Sequence, residues 1–512
     1  MVALHCLRTG NEWLSGGVSG WSLTLSTGIQ LSNSSRIAVN STGVTGFYPS
    51  ISGLGGAHGR IIQVIATLYG VSHARPADLD VLLVGPDGVG VLLMSDAVGS
   101  NALTDATLTF DDSAARALPE QQAATTGLYR PANYGSGVDP FVSPAPSGPY
   151  GASLSAFAGR DPNADWKLYV IDDTNDIGGE IARGWSVSII LDPTAPTTSA
   201  QLTPTANAGG WTNADTTVIL TVTDTGGAGV QKITYSAFGA VSFASTTILA
   251  TTVPISITVE GVTTLNYFAT DRAGNVEATP SLVVRLDKTL PSATAPRARL
   301  LAGRQLSTST MPVTLQWSGA DGLSGLSRFQ LQESVGGGAF AGVPVSPAKA
   351  TTSTRQLTPG TTDRKRVRSA DQANNISAFA TGASFTPTAI QENAASLVYG
   401  GRWTSQALNA AFGGTLRFAN TAGATATVTF TGRSIAWVSL TAANRGQAQV
   451  RIDGGAPVTV DLYTPTTRGR WTVFAANGLA AGTHSMVITV LGTKNAASGG
   501  TRVDIDALLF LP

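Results

Sequence analysis

The segment Asp78-Leu-Asp-Val-Leu-Leu-Val-Gly-Pro-Asp-Gly88, followed by Val91-Leu-Leu-Met-Ser-Asp96, is the most apolar part of the chain. Turn-forming residues, Gly85-Pro-Asp-Gly88, interrupt its apolar run. Each half is too short to cross a bilayer, because a membrane helix needs about 20 consecutive apolar residues. The segment therefore predicts two β-strands joined by a tight turn, and no membrane span.

The same pattern of short apolar or alternating runs continues along the rest of the chain. Turn residues separate these runs about every eight to twelve positions, and helical periodicity is almost absent. Val218-Ile-Leu-Thr-Val-Thr223 and Met486-Val-Ile-Thr-Val490 are two examples. We predict an all-β fold, a multidomain chain of jelly-roll and immunoglobulin-like β-sandwiches.

Length and composition limit the classes of function. The 512 residues exceed what one hydrophobic core organises, which predicts about three to five domains. Because 32 basic residues balance 32 acidic ones, we expect neither nucleic acid nor an anionic membrane as a partner. The single cysteine, Cys6, excludes a disulfide framework and a cysteine-ligated metal centre within the chain.

Two proline-rich joints and two internal repeats divide the chain. The joints are Asp192-Pro-Thr-Ala-Pro196 and Asp287-Lys-Thr-Leu-Pro291. Asp271-Arg-Ala-Gly-Asn275 and Asp371-Gln-Ala-Asn-Asn375 occupy equivalent places in the two following sections. In each of these turns we expect the aspartate side chain to bind local amides, while Gly274 or Asn374 takes a positive φ.

Residues 51–191 carry a series of ordered motifs. They are the Asp78–Gly88 hairpin, Leu108-Thr-Phe-Asp-Asp112, Gly127-Leu-Tyr-Arg-Pro131, Leu154-Ser-Ala-Phe-Ala-Gly159, Trp166-Lys-Leu-Tyr-Val-Ile-Asp-Asp173 and Gly184-Trp185. This order resembles the P domain, or P/Homo B domain, that follows the catalytic domain of proprotein convertases and bacterial subtilisin-like proteases. The resemblance implies a β-sandwich that assists a neighbouring domain and performs no chemistry. Asn163-Ala-Asp-Trp166 departs from it, because a glycine is usual before the tryptophan.

The first residues repeat the end of this section. Gly20-Trp-Ser-Leu-Thr-Leu25 is similar to Gly184-Trp-Ser-Val-Ser-Ile189, so we predict that residues 1–39 are the stub of a preceding P-like domain. Residues 1–20 lack the charged start and apolar stretch of a signal peptide. We expect either export by another route or a truncated reading frame.

Clustered carboxylates in the P-like section suggest a metal. Hard oxygen ligands of this kind suit calcium, which takes six to eight oxygens. No EF-hand spacing is present, and solvated turn aspartates are the alternative. The predicted calcium ligands are Asp78, Asp80, Asp172, Asp173 and Asp176.

The later sections resemble modules of secreted bacterial proteins. Residues 192–288 resemble a bacterial immunoglobulin-like domain, and residues 289–387 an immunoglobulin-like or fibronectin III-like one, while residues 40–191 hold the P-like domain. Residues 388–512 resemble a carbohydrate-binding jelly roll through motifs such as Tyr399-Gly-Gly-Arg-Trp403. Exposed aromatic rings bind sugars on such folds, so Trp403, Tyr463 and Trp471 are candidate glycan contacts, with packing as the alternative.

Motifs for catalysis are missing from the sequence. The nucleophile and histidine motifs of subtilisin-like proteases, a phosphate-binding Gly-Lys-Ser/Thr loop and a Gly-x-Ser-x-Gly elbow are not found. The four histidines are scattered over different sections. The basic stretch Arg364-Lys-Arg-Val-Arg368 places three arginines on one strand face, which would suit an anionic glycan or nucleic acid. We interpret it instead as a solvated outer surface, because the surrounding charge is balanced and no aromatics interleave.

These patterns favour a non-catalytic protein, secreted or on a bacterial cell surface, that binds an extracellular protein or polysaccharide. No catalytic residue is assigned and no cofactor is required, calcium apart. One alternative is the C-terminal region of a subtilisin-like serine endopeptidase whose catalytic domain lies upstream. Another is the accessory region of a glycan-active enzyme.

Overall fold

The structure is a computed structural model of the chain. It describes residues 28–512 except 41, 42, 45, 136–138, 140 and 175–176. The described residues form β-strands and three short 3-10 helices (Pro76–Asp78, Leu154–Phe157 and Phe412–Gly414), which confirms the all-β prediction. No helix among them is long and apolar enough to span a membrane.

Two compact units make up the chain. The first ends at Thr203 and also includes Thr216–Ile257 and Val262–Val284. The second comprises Pro204–Asp215, Thr258–Gly261 and Arg285–Pro512.

The first unit begins with a two-sheet sandwich. One sheet has the order β1-β13-β5-β12-β2, with β8 beside β5 and β9 beside β8, and the other has the order β10-β7-β6-β11-β3, with β4 beside β11. The strands are β1 (Gly28–Asn33), β2 (Ile37–Val39), β3 (Gly43–Val44), β4 (Ser50–Leu54), β5 (Arg60–His73), β6 (Leu79–Val84), β7 (Gly90–Ser95), β8 (Leu103–Phe110), β9 (Gly127–Tyr129), β10 (Ala132–Asn133), β11 (Ala164–Asp172), β12 (Gly179–Ile181) and β13 (Trp185–Asp192).

Aromatic side chains fill the core of this sandwich, as the alternation of apolar residues predicts. Trp166 and Trp185 are 0% and 1% exposed, and Val187 and Ile189 are also buried. The indole nitrogens are satisfied, since Trp166 donates to the Pro162 carbonyl at 3.1 Å and Trp185 to the Ser50 hydroxyl. The two halves of the Leu79–Ser95 segment pair as the antiparallel strands β6 and β7, which confirms the predicted hairpin.

The predicted stub at residues 1–39 is wrong for its described part. Strand β1 pairs along its whole length with β13, from Gly28 opposite Ile190 to Asn33 opposite Trp185, and β2 pairs with β12. Residues 28–39 therefore belong to the same sandwich as residues 50–192, because their apolar side chains complete its core. The Gly20–Leu25 repeat lies outside the described residues.

An immunoglobulin-like section follows. In the first unit, β14-β16-β19 form one sheet and β21-β20-β17-β18 another. Within the second unit, β15 pairs in parallel with the end of β21 at Arg285 and Leu286. The strands are β14 (Thr197–Thr203), β15 (Trp211–Thr212), β16 (Thr216–Thr223), β17 (Val230–Gly239), β18 (Phe243–Ile248), β19 (Thr252–Ile257), β20 (Gly261–Asp271) and β21 (Ser281–Leu286).

The third section, residues 292–386, lies in the second unit. Its sheets have the orders β22-β25, β23-β24-β28 and β27-β26-β29-β30. The strands are β22 (Ser292–Ala293), β23 (Arg297–Leu300), β24 (Met311–Gln316), β25 (Gly319–Ala320), β26 (Leu326–Val335), β27 (Ala341–Val343), β28 (Thr352–Leu357), β29 (Asp363–Asp371) and β30 (Ala380–Thr381).

The terminal section completes the second unit. Its sheets have the orders β31-β42-β36-β39, β32-β35-β40-β37-β38 and β33-β34-β41. Its core includes Trp437, which is 0% exposed as predicted. The strands are β31 (Thr388–Gln391), β32 (Leu397–Gly400), β33 (Thr404–Ala407), β34 (Thr415–Ala419), β35 (Thr425–Thr431), β36 (Ser434–Thr441), β37 (Gly446–Ile452), β38 (Val458–Asp461), β39 (Arg468–Asn477), β40 (Thr483–Lys494), β41 (Val503–Ile505) and β42 (Ala507–Leu511).

The third and terminal sections share a hydrophobic core. Leu300, Leu315 and Leu357 of the third section belong to the same buried cluster as Val438 and Leu509 of the terminal one. Burial of apolar side chains across the boundary near Pro387 joins the two sections into one unit.

Candidate functional site

Trp403 is the candidate glycan contact whose surroundings best fit that role. It lies just before β33 and is half-buried. Its indole nitrogen donates to the Gly400 carbonyl at 3.2 Å, and its ring centroid lies 5.1 Å from that of Tyr399. The guanidinium of Arg417 lies 4.7 Å from the Tyr399 ring centroid. The hydrogen bond and the ring contact hold the indole in place, so little side-chain entropy remains to be lost when a ligand binds.

Polar groups accompany this aromatic pair. Arg417 donates from Nε to the hydroxyl of Ser405 at 3.3 Å, and Ser405 is exposed. The Tyr399 hydroxyl donates to the Glu392 carbonyl at 2.7 Å, and burial raises the pKa of that phenol. The half-buried indole of Trp403 also packs against the hydrophobic core of the section, so its exposed part is the flat apolar surface that a sugar could contact. Arg417, over the Tyr399 ring, and Ser405 supply hydrogen-bonding groups.

Tyr463 and Trp471 lie elsewhere in the terminal section. Tyr463 follows β38 and forms a bridge with Ala442, whereas Trp471 lies on β39 and forms one with Gln305 of the third section. Arg468 covers the Trp471 ring at 4.9 Å from its centroid. Among the described residues, no ring contact joins any two of Trp403, Tyr463 and Trp471. The structure therefore does not assemble the three predicted residues into one aromatic surface.

Buried acidic groups lie near the start and the end of the terminal section. Glu392 and Asp506 are 2% and 0% exposed. Asp506 accepts a hydrogen bond from the Phe412 amide at 2.8 Å, and Glu392 accepts one from the Thr415 hydroxyl at 2.7 Å. Within the described chain, no hydrogen bond reaches Asp506 Oδ2, Glu392 Oε2 or the neighbouring Gln391 Oε1, all of which are buried. Hard oxygen atoms of this kind are the donors that a cation such as calcium accepts.

The predicted calcium ligands of the first sandwich are only partly brought together. Burial raises the pKa of Asp80 to about 8, and the charges of Asp173, Asp139 and Asp96 add to the shift. Asp172 is engaged differently, since it lies 3.2 Å from the buried ring of His73. Asp176 lies outside the described residues. Asp96 and Asp139 were missed from sequence because they follow other strands of the sheet.

Two groups of three aspartates were also missed. Asp192, Asp224 and Asp271 lie in the first unit, and Asp287, Asp321 and Asp371 lie in the second. In each group one oxygen of every residue comes within 4.8 Å of the others. The groups combine the joint, a loop and the repeated turn of a section.

Backbone and amide donors stabilise these carboxylates. Asp192 accepts from the Thr194 and Ala228 amides at 2.9 and 3.0 Å. Asp271 accepts from the Asn275 amide and side chain, both at 2.8 Å, and Asp371 accepts equivalent bonds from Asn375. The aspartate groups therefore fasten each joint to the turn at the far end of its section.

Two histidines pair with aspartates in a way that serves structure. The His73 Nδ1 atom accepts from the Arg75 amide, so its Nε2–H is the group that faces Asp172. His484 lies between Asp453 at 2.6 Å and the Ala480 carbonyl at 2.9 Å. Both ring nitrogens of each histidine are occupied, so neither ring is placed to take a proton from a nucleophile.

Comparison with known proteins gives partial similarities. No family model matches the chain. Over 99 residues the chain is 35% identical to the A type blood N-acetyl-alpha-D-galactosamine deacetylase of Flavonifractor plautii, a stretch that covers 19% of this chain and 13% of that protein. The chain thus spans a small part of this relative's length.

Several solved structures align with parts of the chain. Fibronectin(III)-like modules of Clostridium thermocellum CbhA align at 15% identity over 36% of this chain and 91% of theirs, with a TM-score of 0.21. A family 35 carbohydrate binding module from the same organism aligns at 20% identity over 24% and 96%, with a TM-score of 0.18. The serine protease of Aeromonas sobria aligns at 18% identity over 33% and 28%, with a TM-score of 0.17.

Proposed function

We propose that this chain is a non-catalytic, modular polysaccharide-binding protein that contacts its ligand through the terminal section. The observation that supports this most is the fixed indole of Trp403, packed on Tyr399 beside Arg417 and Ser405. The immunoglobulin-like and third sections act as spacers in this proposal, because short proline-containing joints limit the motion between sandwiches. The proposed location is the cell exterior or cell surface.

Replacement of Trp403 tests this function. The full chain is titrated with soluble xylan and galactan, and binding is followed by affinity electrophoresis. We expect Trp403→Ala to weaken binding at least about tenfold, since truncation of a central aromatic contact costs about 2 kcal/mol. Tyr463→Ala and Trp471→Ala measure the other two candidates separately.

A matched control removes a comparable aromatic ring from another section. Phe238, which is 54% exposed on β17, serves this purpose. Phe238→Ala should leave binding unchanged. Trp403→Ala and Phe238→Ala should both melt like the parent chain. If Trp403→Ala then binds as tightly as the parent, the proposed role of Trp403 is contradicted.

A second proposal concerns the first sandwich. The ordered motifs that resemble a P domain lie within this sandwich, on strands between β6 and β13 and on the 3-10 helix Leu154–Phe157. We propose that it supports a neighbouring catalytic domain in a longer gene product, either a subtilisin-like serine endopeptidase or a glycan-active enzyme. Co-expression with a catalytic domain encoded upstream in frame should raise the yield of active enzyme, and an unchanged yield without residues 28–192 would refute the proposal.

A further inference from the structure

The third section carries a charge that the neutral composition of the whole chain conceals. Residues 292–386 hold ten Lys and Arg residues against four Asp and Glu residues, a net charge of +6. The surrounding charge is therefore not balanced, in contrast to the interpretation of this stretch from sequence.

The arginines of this section concentrate on one face of the sheet β27-β26-β29-β30. Along β29, Asp363, Lys365 and Val367 are buried, whereas Arg364 is exposed and Arg366 and Arg368 are half-buried. Alternation along a strand places the three arginines on the outer face. Arg328, on β26, is exposed and shares the face of Gln330 and Gln332, the residues opposite Arg368 and Arg366.

No acidic side chain of the section faces these arginines in the described chain. Glu333 and Asp363 bind Lys365 on the inner side of the sheet, at 3.0 and 2.9 Å. Asp321 and Asp371 belong to the aspartate group at the joint. The outer face therefore carries positive charge without an acidic partner.

Aromatic rings and glutamines hold the guanidinium groups in fixed orientations. Arg366 lies 3.9 Å from the ring centroid of Phe340 and 4.2 Å from that of Phe379, and Arg368 lies 4.6 Å from Phe379. Their Nε atoms donate to Gln332 and Gln330 at 2.7 and 2.6 Å. Phe340 and Phe379 directly precede β27 and β30 and lie outside the basic stretch, so that stretch alone does not reveal them.

The terminal nitrogens of these arginines remain available. Among the described hydrogen bonds, the side chains of Arg364, Arg366 and Arg368 donate only from Nε. A stacked guanidinium with free Nη groups is preorganised for a carboxylate, because its planar donors match the two oxygens. A cavity of about 280 Å³ beside Arg364, lined also by Phe340, Asp363 and Ser384, extends the face at one end.

We propose that this arginine face binds an acidic polysaccharide through the carboxylates of its uronic acid residues. Successive arginines of the row lie about 6.8 Å apart along the strand, so one polymer chain can engage several carboxylates. Guanidinium groups already cover Phe340 and Phe379, which leaves less ring surface for a stacking base and favours a glycan over a single-stranded nucleic acid. This site is separate from Trp403 and does not depend on it.

The test is affinity electrophoresis of the full chain in gels that contain polygalacturonate. We expect retardation that weakens as salt rises, because the contacts are ionic. Arg366→Gln/Arg368→Gln should raise the dissociation constant at least about tenfold, through loss of two charge-assisted contacts. Arg366→Lys/Arg368→Lys should lose nearly as much, since lysine keeps the charge but not the fork.

Controls separate this site from general charge and from the terminal section. Arg297→Gln/Arg299→Gln removes the same charge from exposed positions of β23 and should change binding less than about twofold. Trp403→Ala should retain polygalacturonate binding. The proposal falls if the parent chain is not retarded, if both arginine pairs lose equally, if Trp403→Ala abolishes retardation, or if a single-stranded oligonucleotide binds more tightly than polygalacturonate.

Discussion

At the scale of single residues, buried carboxylates dominate the chemistry of this chain. Asp506 and Asp80 are each buried with other acids nearby, and burial raises the pKa of each to about 8. A carboxyl group that prefers its proton in the folded state makes folding depend on pH.

Asp506→Asn is the variant that isolates one such group. An aspartate of the unfolded chain titrates near pH 3.9, so the folded pKa of about 8 is raised. Its stabilising contribution is complete below the unfolded pKa and is lost as the pH rises through about 8. In EDTA, the melting temperature of the second unit should fall from pH 5 to pH 9 and fall less in Asp506→Asn. An equal fall of the melting temperature between pH 5 and pH 9 in the parent chain and in Asp506→Asn would contradict this account.

Sequence predicts some of these residues and misses others for a physical reason. The turns at Asp271 and Asp371 were predicted with their positive φ, and Gly274 and Asn374 have φ values of +89° and +74°. Such turns are local, so a few adjacent residues determine them. The aspartate groups combine residues far apart in sequence, such as Asp192 and Asp271, and depend on strand pairing that no local motif records.

At the scale of elements, the loop that follows a strand packs against the proline-containing joint at the start of its section. The loop after β16 brings Gly226 against the Asp192 side chain, and a Cβ at this glycine would lie 1.9 Å from Asp192 Oδ1. Strand patterns and the two joints were predictable from alternation and proline. The packing of the loop against the joint was not predictable, because it depends on the absence of a side chain at Gly226.

Gly226→Ala should therefore destabilise the first unit. Overpacking of a filled site costs about 1–3 kcal/mol, seen as a lower urea midpoint for that unit. Gly322→Ala, in the corresponding loop of the third section, is the matched control because its Cβ meets nothing within 4 Å. The control should be neutral or slightly stabilising. A Gly226→Ala midpoint equal to that of the parent would show that the joint has room to adjust.

At the scale of the whole molecule, the predicted β-sandwich class is confirmed, whereas sequence alone misassigned residues 28–39. The Gly20–Leu25 repeat suggested a preceding domain, but strand β1 completes the sheet beside β13. An edge strand such as β1 pairs with a strand that is far away in the sequence, and a repeat of a few residues does not reveal that partner. The basic stretch on β29 was likewise interpreted without the phenylalanines that neighbouring segments supply.

Calcium provides a test of the acidic cluster of the first sandwich. If Asp80 and Asp173 help to bind calcium, the ion should raise the melting temperature of the first unit, because a ligand that binds only the folded state stabilises it. Asp80→Asn/Asp173→Asn should reduce the shift, whereas Asp165→Asn, at an exposed position of β11, should not. Equal melting temperatures of the first unit in calcium and in EDTA would refute a calcium site at these residues.

The most direct measurement follows binding and cleavage in the same sample. The full chain is incubated with soluble xylan, galactan and polygalacturonate, and both complex formation and new reducing ends are recorded over time. If the chain is a non-catalytic binder, it should form a complex with at least one of these polymers, and no new reducing ends should appear. Release of new reducing ends would contradict the account. Binding to none of the three polymers would contradict it as well.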